Sequence, residues 1–239
     1  MNDTVVYTAI FGDYDDLIEP SFSDPHCDYV CFTDQESIKS NFWKVIYVKG
    51  EHVSQILNNR MYKMMPHLYL NQYKFSMYID SNIRLLSSPL DLVKSYIAKY
   101  SISCPEHEHR DCIYEEASEC IRRGKANRSD VEKQMAYYEQ QGFPHHFGLR
   151  EMNIIIRCHN DENVIKLMNE WWDVFNAWSK RDQLSFYYAV WRCPIEIGKM
   201  KETSRVPSKY FFLETHKHAP SYQKLKRMVK RFVYAFLPK

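Results

Sequence analysis

Short β-branched, apolar runs alternate with helical stretches along most of the chain, and that alternation leaves few folds open. Thr4–Ile10 reads as an opening strand that runs into a polar loop, Phe11-Gly12-Asp13-Tyr14-Asp15-Asp16. Residues 28–33, 43–48, 74–79 and 153–157 read as further strands, bounded by turn residues. Ser54 is placed to cap a helix reaching residue 69, with a kink or stop at Pro66. Ser88-Pro89 opens another helix with proline at its first position. Ser129-Asp130-Val131-Glu132 reads as a capping box, and residues 161–178 and 180–191 as long helical segments. The pattern predicts an α/β fold with a mainly parallel central sheet flanked by helices. Ligands of such sheets sit outside the carboxyl ends of the strands, which singles out residues 11–16, Asp34 and residues 80–82.

The length, 239 residues, suits one large domain with a short appendage, divided here as residues 1–220 and a terminal helix over 221–239. Only six glycines are present, and they match neither G-x-G-x-x-G nor the P-loop pattern. Any phosphate is therefore held by side chains, a metal or ordinary helix N-termini. A net charge of +2 argues against nucleic acid as a partner. The basic excess is local: Lys224, Lys226, Arg227, Lys230, Arg231 and Lys239 crowd the end of the chain. No apolar run approaches the roughly 18 residues that span a bilayer, and no secretory signal is visible at the start. Seven scattered cysteines point to reduced thiols and a cytoplasmic setting.

Several clusters have the composition of a site. Asp80 and Asn82 follow an apolar strand and offer hard oxygen ligands for Mn²⁺ or Mg²⁺; the plainer reading is an Asx turn. Asn59, Arg60, Lys63 and His67 share one helix face, where Arg60 and Lys63 suit a diphosphate; the alternative is a solvated polar face. Cys104 to Cys112 packs two Cys and two His in an unfamiliar zinc spacing, and His107 and Arg110 there could face an anion instead. Glu151 lies in a loop dense with His and Arg, as a general base or a surface ion pair. Asp182 and Gln183 start a helix, either facing a reaction centre or closing a capping box from Ser179. His216 or His218 could complete a metal site. In the tail, Leu225, Met228, Val229, Phe232, Val233 and Phe236 recur at helical spacing opposite the basic residues. That face suits either an anionic membrane surface or docking on the core.

The order of these motifs carries more than any one of them. Tyr7-Thr8-Ala9-Ile10-Phe11-Gly12-Asp13-Tyr14-Asp15, Asp28-Tyr29-Val30-Cys31-Phe32-Thr33-Asp34, Arg60-x-x-Lys63-x-x-Pro66-His67 and Tyr78-Ile79-Asp80-Ser81-Asn82 come first. His107-x-x-Arg110-Asp111-Cys112, Gly148-Leu149-x-Glu151-x-Asn153 and Arg181-Asp182-Gln183-Leu184-Ser185-Phe186 follow. The set resembles a domain family that includes a plant seed-mucilage glycosyltransferase and a plant protein assigned as an alkaline ceramidase. The resemblance spans residues 5–212 and implies a divergent GT-A glycosyltransferase fold.

The resemblance further implies a nucleotide-sugar donor, a UDP-sugar, beside the first strand. Thr8, Phe11, Asp13, Tyr14, Arg60, Lys63, Asp80, Ser81 and Asn82 are its expected binding residues. Asp80 and Asn82 stand at the D-x-D position, and His216 or His218 at the late histidine ligand, so the expected cofactor is Mn²⁺ or Mg²⁺. Asn82 replaces the second acid, which weakens the attraction for a cation. Asp182, Glu151 and Gln183 are the expected catalytic residues, Asp182 or Glu151 being the candidate base. The expected reaction is transfer to a glycan or lipid-linked glycan acceptor in surface-polysaccharide synthesis, at the inner face of the membrane if the tail reaches it. Metal-dependent amide hydrolysis and a non-catalytic nucleotide- or glycan-binding module are the alternatives.

Overall fold

The computed structural model describes residues 2–206 and 208–235, with side chains as far as Val229. Strand β1 (Thr4–Ile10) is buried on both faces, which is why it reads as an unbroken apolar run and not as an alternating one. Val5, Tyr7, Ala9 and Phe11 enter one apolar cluster, while Val6 and Ile10 enter the other. Beside β1 lie β2 (Cys27–Thr33), β3 (Lys44–Tyr47) and, after helices α1 (Gln55–Met64) and α2 (Pro66–Tyr69), β4 (Phe75–Ile79). The chain continues through β5 (Ile83–Leu85), α3 (Leu90–Ile97), β6 (Ile102–Pro105), α4 (Ile113–Arg122) and α5 (Arg128–Gln140). It ends with β7 (Ile154–Arg157), α6 (Glu162–Ala177), α7 (Asp182–Arg192), β8 (Ile197–Met200), β9 (Phe211–Leu213) and α8 (Ser221–Ala235).

Among the described residues, seven strands form one sheet in the order β3-β2-β1-β4-β7-β6-β8, and β5 pairs with β9 in a small antiparallel ribbon. Only β7 is reversed: it runs antiparallel to both β4 and β6, while β6 and β8 are parallel to each other. The mainly parallel α/β sheet flanked by helices is therefore present as expected. The reversal of β7 has one consequence for function. The residues just before β7 lie at the same sheet edge as those just after β1, β4, β6 and β8, because Ile79 pairs with Ile154 and Pro105 with Met200.

Several local expectations hold and several shift. The Ser54 side chain caps α1 by accepting from Leu57 N, and the helix stops before Pro66 as expected. Proline at 89 sits at the N-cap of α3, one position before the expected place, and the Ser88 hydroxyl accepts from Leu90 N. The capping box at Ser129 does not form. Asn127 caps α5 instead, accepting from Asp130 N, and Glu132 pairs with Arg128 at 3.1 Å. Ser179 does not cap α7 either: its hydroxyl is taken by Gln134 Oε1 at 2.6 Å. The segment 102–122, read mainly for its Cys and His, is β6 followed by α4. Cys104 is buried in the strand and Cys112 is the N-cap of the helix, so the zinc arrangement does not assemble. All seven cysteines are free thiols.

Candidate functional site at the sheet edge

The polar face of α1 is half-buried at Asn59 and Arg60 and closed from solvent at Lys63. Lys63 is 1% exposed, and its ammonium lies 2.7 Å from Asp182 Oδ2 and 3.5 Å from Asp80 Oδ1. The Arg60 Nε lies 3.1 Å from the same Asp182 oxygen. These contacts tie the end of α1 to the first residue of α7 and to the residue after β4. Each anchor has a local cause. The Lys63 carbonyl, in the last turn of α1, accepts from Tyr7 OH and from the fully buried Arg157, each at 2.9 Å. The Asp182 carbonyl accepts from the buried Trp171 indole at 3.0 Å, which sets the start of α7 against α6. Asp80 N donates to Asn153 O at 2.9 Å, and Tyr78 OH donates to Asp80 Oδ1 at 3.0 Å.

Burial by itself would raise the Asp182 carboxyl, but Arg60 and Lys63 overrule it and hold the group well below the usual carboxylate range. The helix N-terminus favours the same charged form. Burial alone would likewise lower Arg60, and the Asp182 charge reverses that, so its guanidinium is raised. Arg60, Lys63, Asp80 and Asp182 together balance two cations with two carboxylates. Arg60 and Lys63 thus do not stand free for a diphosphate, and Asp182, engaged by both, is a poor proton acceptor.

The loop after β1 is tied to the chain's late segment. His216 Nδ1 donates to Asp15 Oδ2 at 2.9 Å, Lys217 N donates to Asp15 Oδ1 at 3.1 Å, and Ser81 Oγ donates to Asp15 Oδ2 at 3.4 Å. The hydrogen bond to Asp15 raises the His216 imidazole above its ordinary range. Asp13 pairs with Lys217, and its carbonyl accepts from His218 Nε2 at 2.7 Å. Tyr14 is largely exposed, edge-on to the His216 ring at 5.2 Å. Two expected donor contacts are corrected here. Phe11 is a core residue, 3% exposed and stacked on Tyr62 at 5.4 Å. Thr8 is buried within β1, so its side chain faces the packed interior.

Asp80, Asn82, His216 and His218 do not come together as a four-ligand set. Among the described residues no group of three His, Cys, Asp or Glu side chains is placed to hold one ion. His218 turns to Asp13, and His216 spends Nδ1 on Asp15. The pair Asp80 and Asn82 does fit a cation that arrives with a diphosphate. Asp80 Oδ2 has no partner among the described residues, and Asn82 Nδ2 donates to Glu214 O at 3.3 Å, which leaves the amide oxygen as the ligand atom.

Glu151 precedes β7 at the same edge. Arg205 Nε lies 3.0 Å from its Oε1, and Thr203 Oγ1 donates to its Oε2 at 2.9 Å. Burial raises its carboxyl, and those two partners offset the rise only in part. Gln183 Nε2 donates to Arg150 O at 3.0 Å, so Asp182, Gln183 and Glu151 lie along one connected path.

Sequence reasoning missed Asp15 and Arg157 as organisers of the site. Asp15 was visible only as one acid in a polar loop. Arg157 ends a strand and gave no signal that its guanidinium would turn inward to the α1 terminus.

Comparison with solved structures finds distant likenesses. WbbM, a bifunctional glycosyltransferase in its apo form, is 10% identical with a TM-score of 0.49, over 83% of this chain and 38% of that one. The chain thus spans well under half of WbbM. The galactosyltransferase LgtC, solved with donor and acceptor sugar analogs, is 8% identical with a TM-score of 0.49, over 99% and 98% of the two chains. Mouse xyloside xylosyltransferase 1, apo form, is 7% identical with a TM-score of 0.47, over 83% and 84%. No curated protein matches the chain. The family described as "TOD1/MUCI70, glycosyltransferase-like domain" matches residues 1–206, which include every site residue above except those of the late segment. With that match over most of its length, the chain belongs to the TOD1/MUCI70 glycosyltransferase-like domain family.

Proposed function

We propose that this protein transfers a sugar from a UDP-sugar to a hydroxyl of a glycan or lipid-linked glycan. The observation that carries the reading is the buried Lys63, 2.7 Å from Asp182 and 3.5 Å from Asp80, at the sheet edge where such folds bind ligands. A buried ion pair adds little net stability over apolar packing, so its place at that edge favours a role in fixing the carboxylates for a ligand.

The donor lies across the ends of β1 and β4. Tyr14 offers an exposed ring to the nucleobase. Asp80 and Asn82 would hold Mn²⁺ or Mg²⁺ together with diphosphate oxygens, and the ion would supply Lewis-acid stabilisation of the leaving group. Lys63 and Arg60 fix the Asp182 carboxylate so that it accepts hydrogen bonds from the donor sugar. The bond from C1 to the diphosphate breaks with its electron pair leaving on UDP. Glu151, whose burial raises its proton affinity, binds the acceptor hydroxyl and takes its proton.

We also place the protein on an anionic membrane surface. The apolar face of α8 is exposed at Leu225, Met228 and Val229. The helix meets the body through Arg227, whose guanidinium sits 5.0 Å over the Phe212 ring and bonds Leu213 O. Docking by the apolar face is therefore not what is seen as far as Val229. The side chains of Lys230, Arg231, Phe232 and Val233, and the residues Phe236 and Lys239, lie outside the described part. No helix among the described residues is long and apolar enough to cross a membrane.

The test of the transfer reading is thermal unfolding with UDP, GDP and CMP, each with and without Mn²⁺. A stabilisation by UDP that grows with Mn²⁺ is expected. No stabilisation by any nucleotide would overturn the donor site.

A further inference from the structure

A cavity of about 400 Å³ lies beside this site, between the ends of β6 and β8 and the loop 146–150. That volume falls within the roughly 300–1,000 Å³ of small-molecule sites. Its floor is Tyr187, on which Gly148 rests so closely that a Cβ there, at a φ of +130°, would meet the ring at 2.4 Å. Phe147, 41% exposed, presents an aromatic surface at its mouth.

The charges around the cavity are settled at all positions but one. Arg110 is held by Glu116 at 2.7 Å, His146 by Asp111 at 2.6 Å, and Lys199 lies 3.6 Å from Glu106. Arg150 is 9% exposed and has no carboxylate within ion-pair distance among the described residues. Its Nη1 donates to the neighbouring Leu149 O at 3.0 Å, its Nε has no hydrogen-bond partner among the described residues, and its guanidinium sits 5.6 Å over the Tyr187 ring. A buried guanidinium without a carboxylate is strongly disfavoured unless something supplies the missing charge. Its planar fork matches an oxyanion with two parallel hydrogen bonds.

The position of the cavity says which substrate it serves. The Arg150 carbonyl accepts from Gln183, whose own backbone N donates to Asp182 at 3.0 Å, and Glu151 follows Arg150 directly. The cavity thus meets the Lys63–Asp182 centre from the β6–β8 side, away from the β1 loop where the donor lies. We infer that it is the acceptor subsite, and that Arg150 binds an oxyanion carried by the acceptor sugar, a carboxylate or a phosphate. The inference rests on the glycosyl-transfer reading for the word acceptor, though not for the anion. Phe147 would stack on the apolar face of the same sugar ring.

The test is calorimetric titration of the full chain with a uronic-acid disaccharide, the same disaccharide with its carboxyl reduced, a hexose phosphate, inorganic phosphate alone, and UDP as a control. At least one oxyanion-bearing sugar is expected to bind tenfold or more tightly than the neutral disaccharide. In Arg150→Gln that preference is expected to vanish with UDP affinity unchanged, and Arg150→Lys to restore part of it. A preference for the uronic acid assigns a carboxylate, and one for the hexose phosphate assigns a phosphate; either supports the subsite. Binding of inorganic phosphate as tightly as any sugar would overturn the acceptor assignment. Should Arg150→Gln not fold, Phe147→Ala, at an exposed side chain, is expected to weaken the acidic sugar and leave UDP alone. Equal binding of acidic and neutral sugars, or UDP binding with no sugar binding, would overturn the subsite and leave the donor site standing. Arg150-dependent binding of an acidic sugar without any UDP binding would support the anion site and overturn the transfer reading.

Discussion

Lys63 Nζ lies 2.7 Å from Asp182 Oδ2, with the two side chains 1% and 9% exposed, and this pair joins residues 119 positions apart. It is the contact on which the sheet-edge site depends, and its removal is asymmetric. Asp182→Asn leaves Lys63 charged and buried, and is expected to cost about 3–5 kcal/mol in urea unfolding. Lys63→Met combined with Asp182→Leu is expected to recover most of that stability and none of the activity. The acid limb of stability carries the same signature. The folded carboxyl is lowered, so its contribution is complete above the unfolded value of about 3.9 and is lost as pH falls below it. That loss should be absent in Asp182→Asn.

Asp80→Asn is expected to lower transfer by about 10²–10³-fold, in line with the loss of one electrostatic contact to a leaving group. Mn²⁺ should stabilise the wild type only when UDP is present, because the described residues bring together too few ligands for the ion by themselves. Thermal unfolding with the ion, the nucleotide and both checks this. Equal stabilisation by Mn²⁺ alone would show a preformed site.

Glu151 sets a pH profile. Burial raises its carboxyl, so the acid limb of kcat/KM should lie above the ordinary glutamate value of about 4.3. Arg205→Ala removes the cation that restrains the rise, and should move the limb further up. Glu151→Gln should abolish the limb and slow transfer by about 10²-fold or more. An unchanged profile in both variants would remove Glu151 from the reaction.

The late segment responds to pH in the opposite sense. Its hydrogen bond to Asp15 raises the His216 imidazole, so the tie is complete below the unfolded value of about 6.5 and weakens as pH rises through the folded one. An NMR titration should place His216 above an unperturbed histidine in the wild type and nearer to it in Asp15→Asn. Amide exchange at Lys217, which donates to Asp15, should quicken in that variant.

The terminal helix is tested with lipid vesicles. Leu225→Glu with Met228→Glu should abolish binding to vesicles containing anionic lipid and leave the melting temperature unchanged, since both side chains are exposed. Undiminished binding would reject the surface contact.

Much of this architecture is local and therefore legible in the sequence. The strands around β1, the Ser54 cap and the stop at Pro66 follow from neighbouring residues. Asp80 and Asn82 could be singled out because they end an apolar strand, and Asp182 because it opens a helix. What those residues do to one another was not legible. A polar stripe on α1 has the same pattern whether it meets water or a buried carboxylate, and only the docking of α7 through Trp171 decides that Lys63 is buried. The Ser129 cap failed because Asn127 takes that role, and the Ser179 cap because its hydroxyl donates to Gln134 of α5 and α7 starts later, after Arg181. Arg150 is the sharpest case. Its sequence neighbours are rich in charge, yet its guanidinium has no carboxylate partner among the described residues and sits over the Tyr187 ring of α7 instead. Sequence determined which groups stand near the strand ends; the tertiary packing decided which of them are neutralised and which remain for a ligand, because burial sets the cost of every unpaired charge.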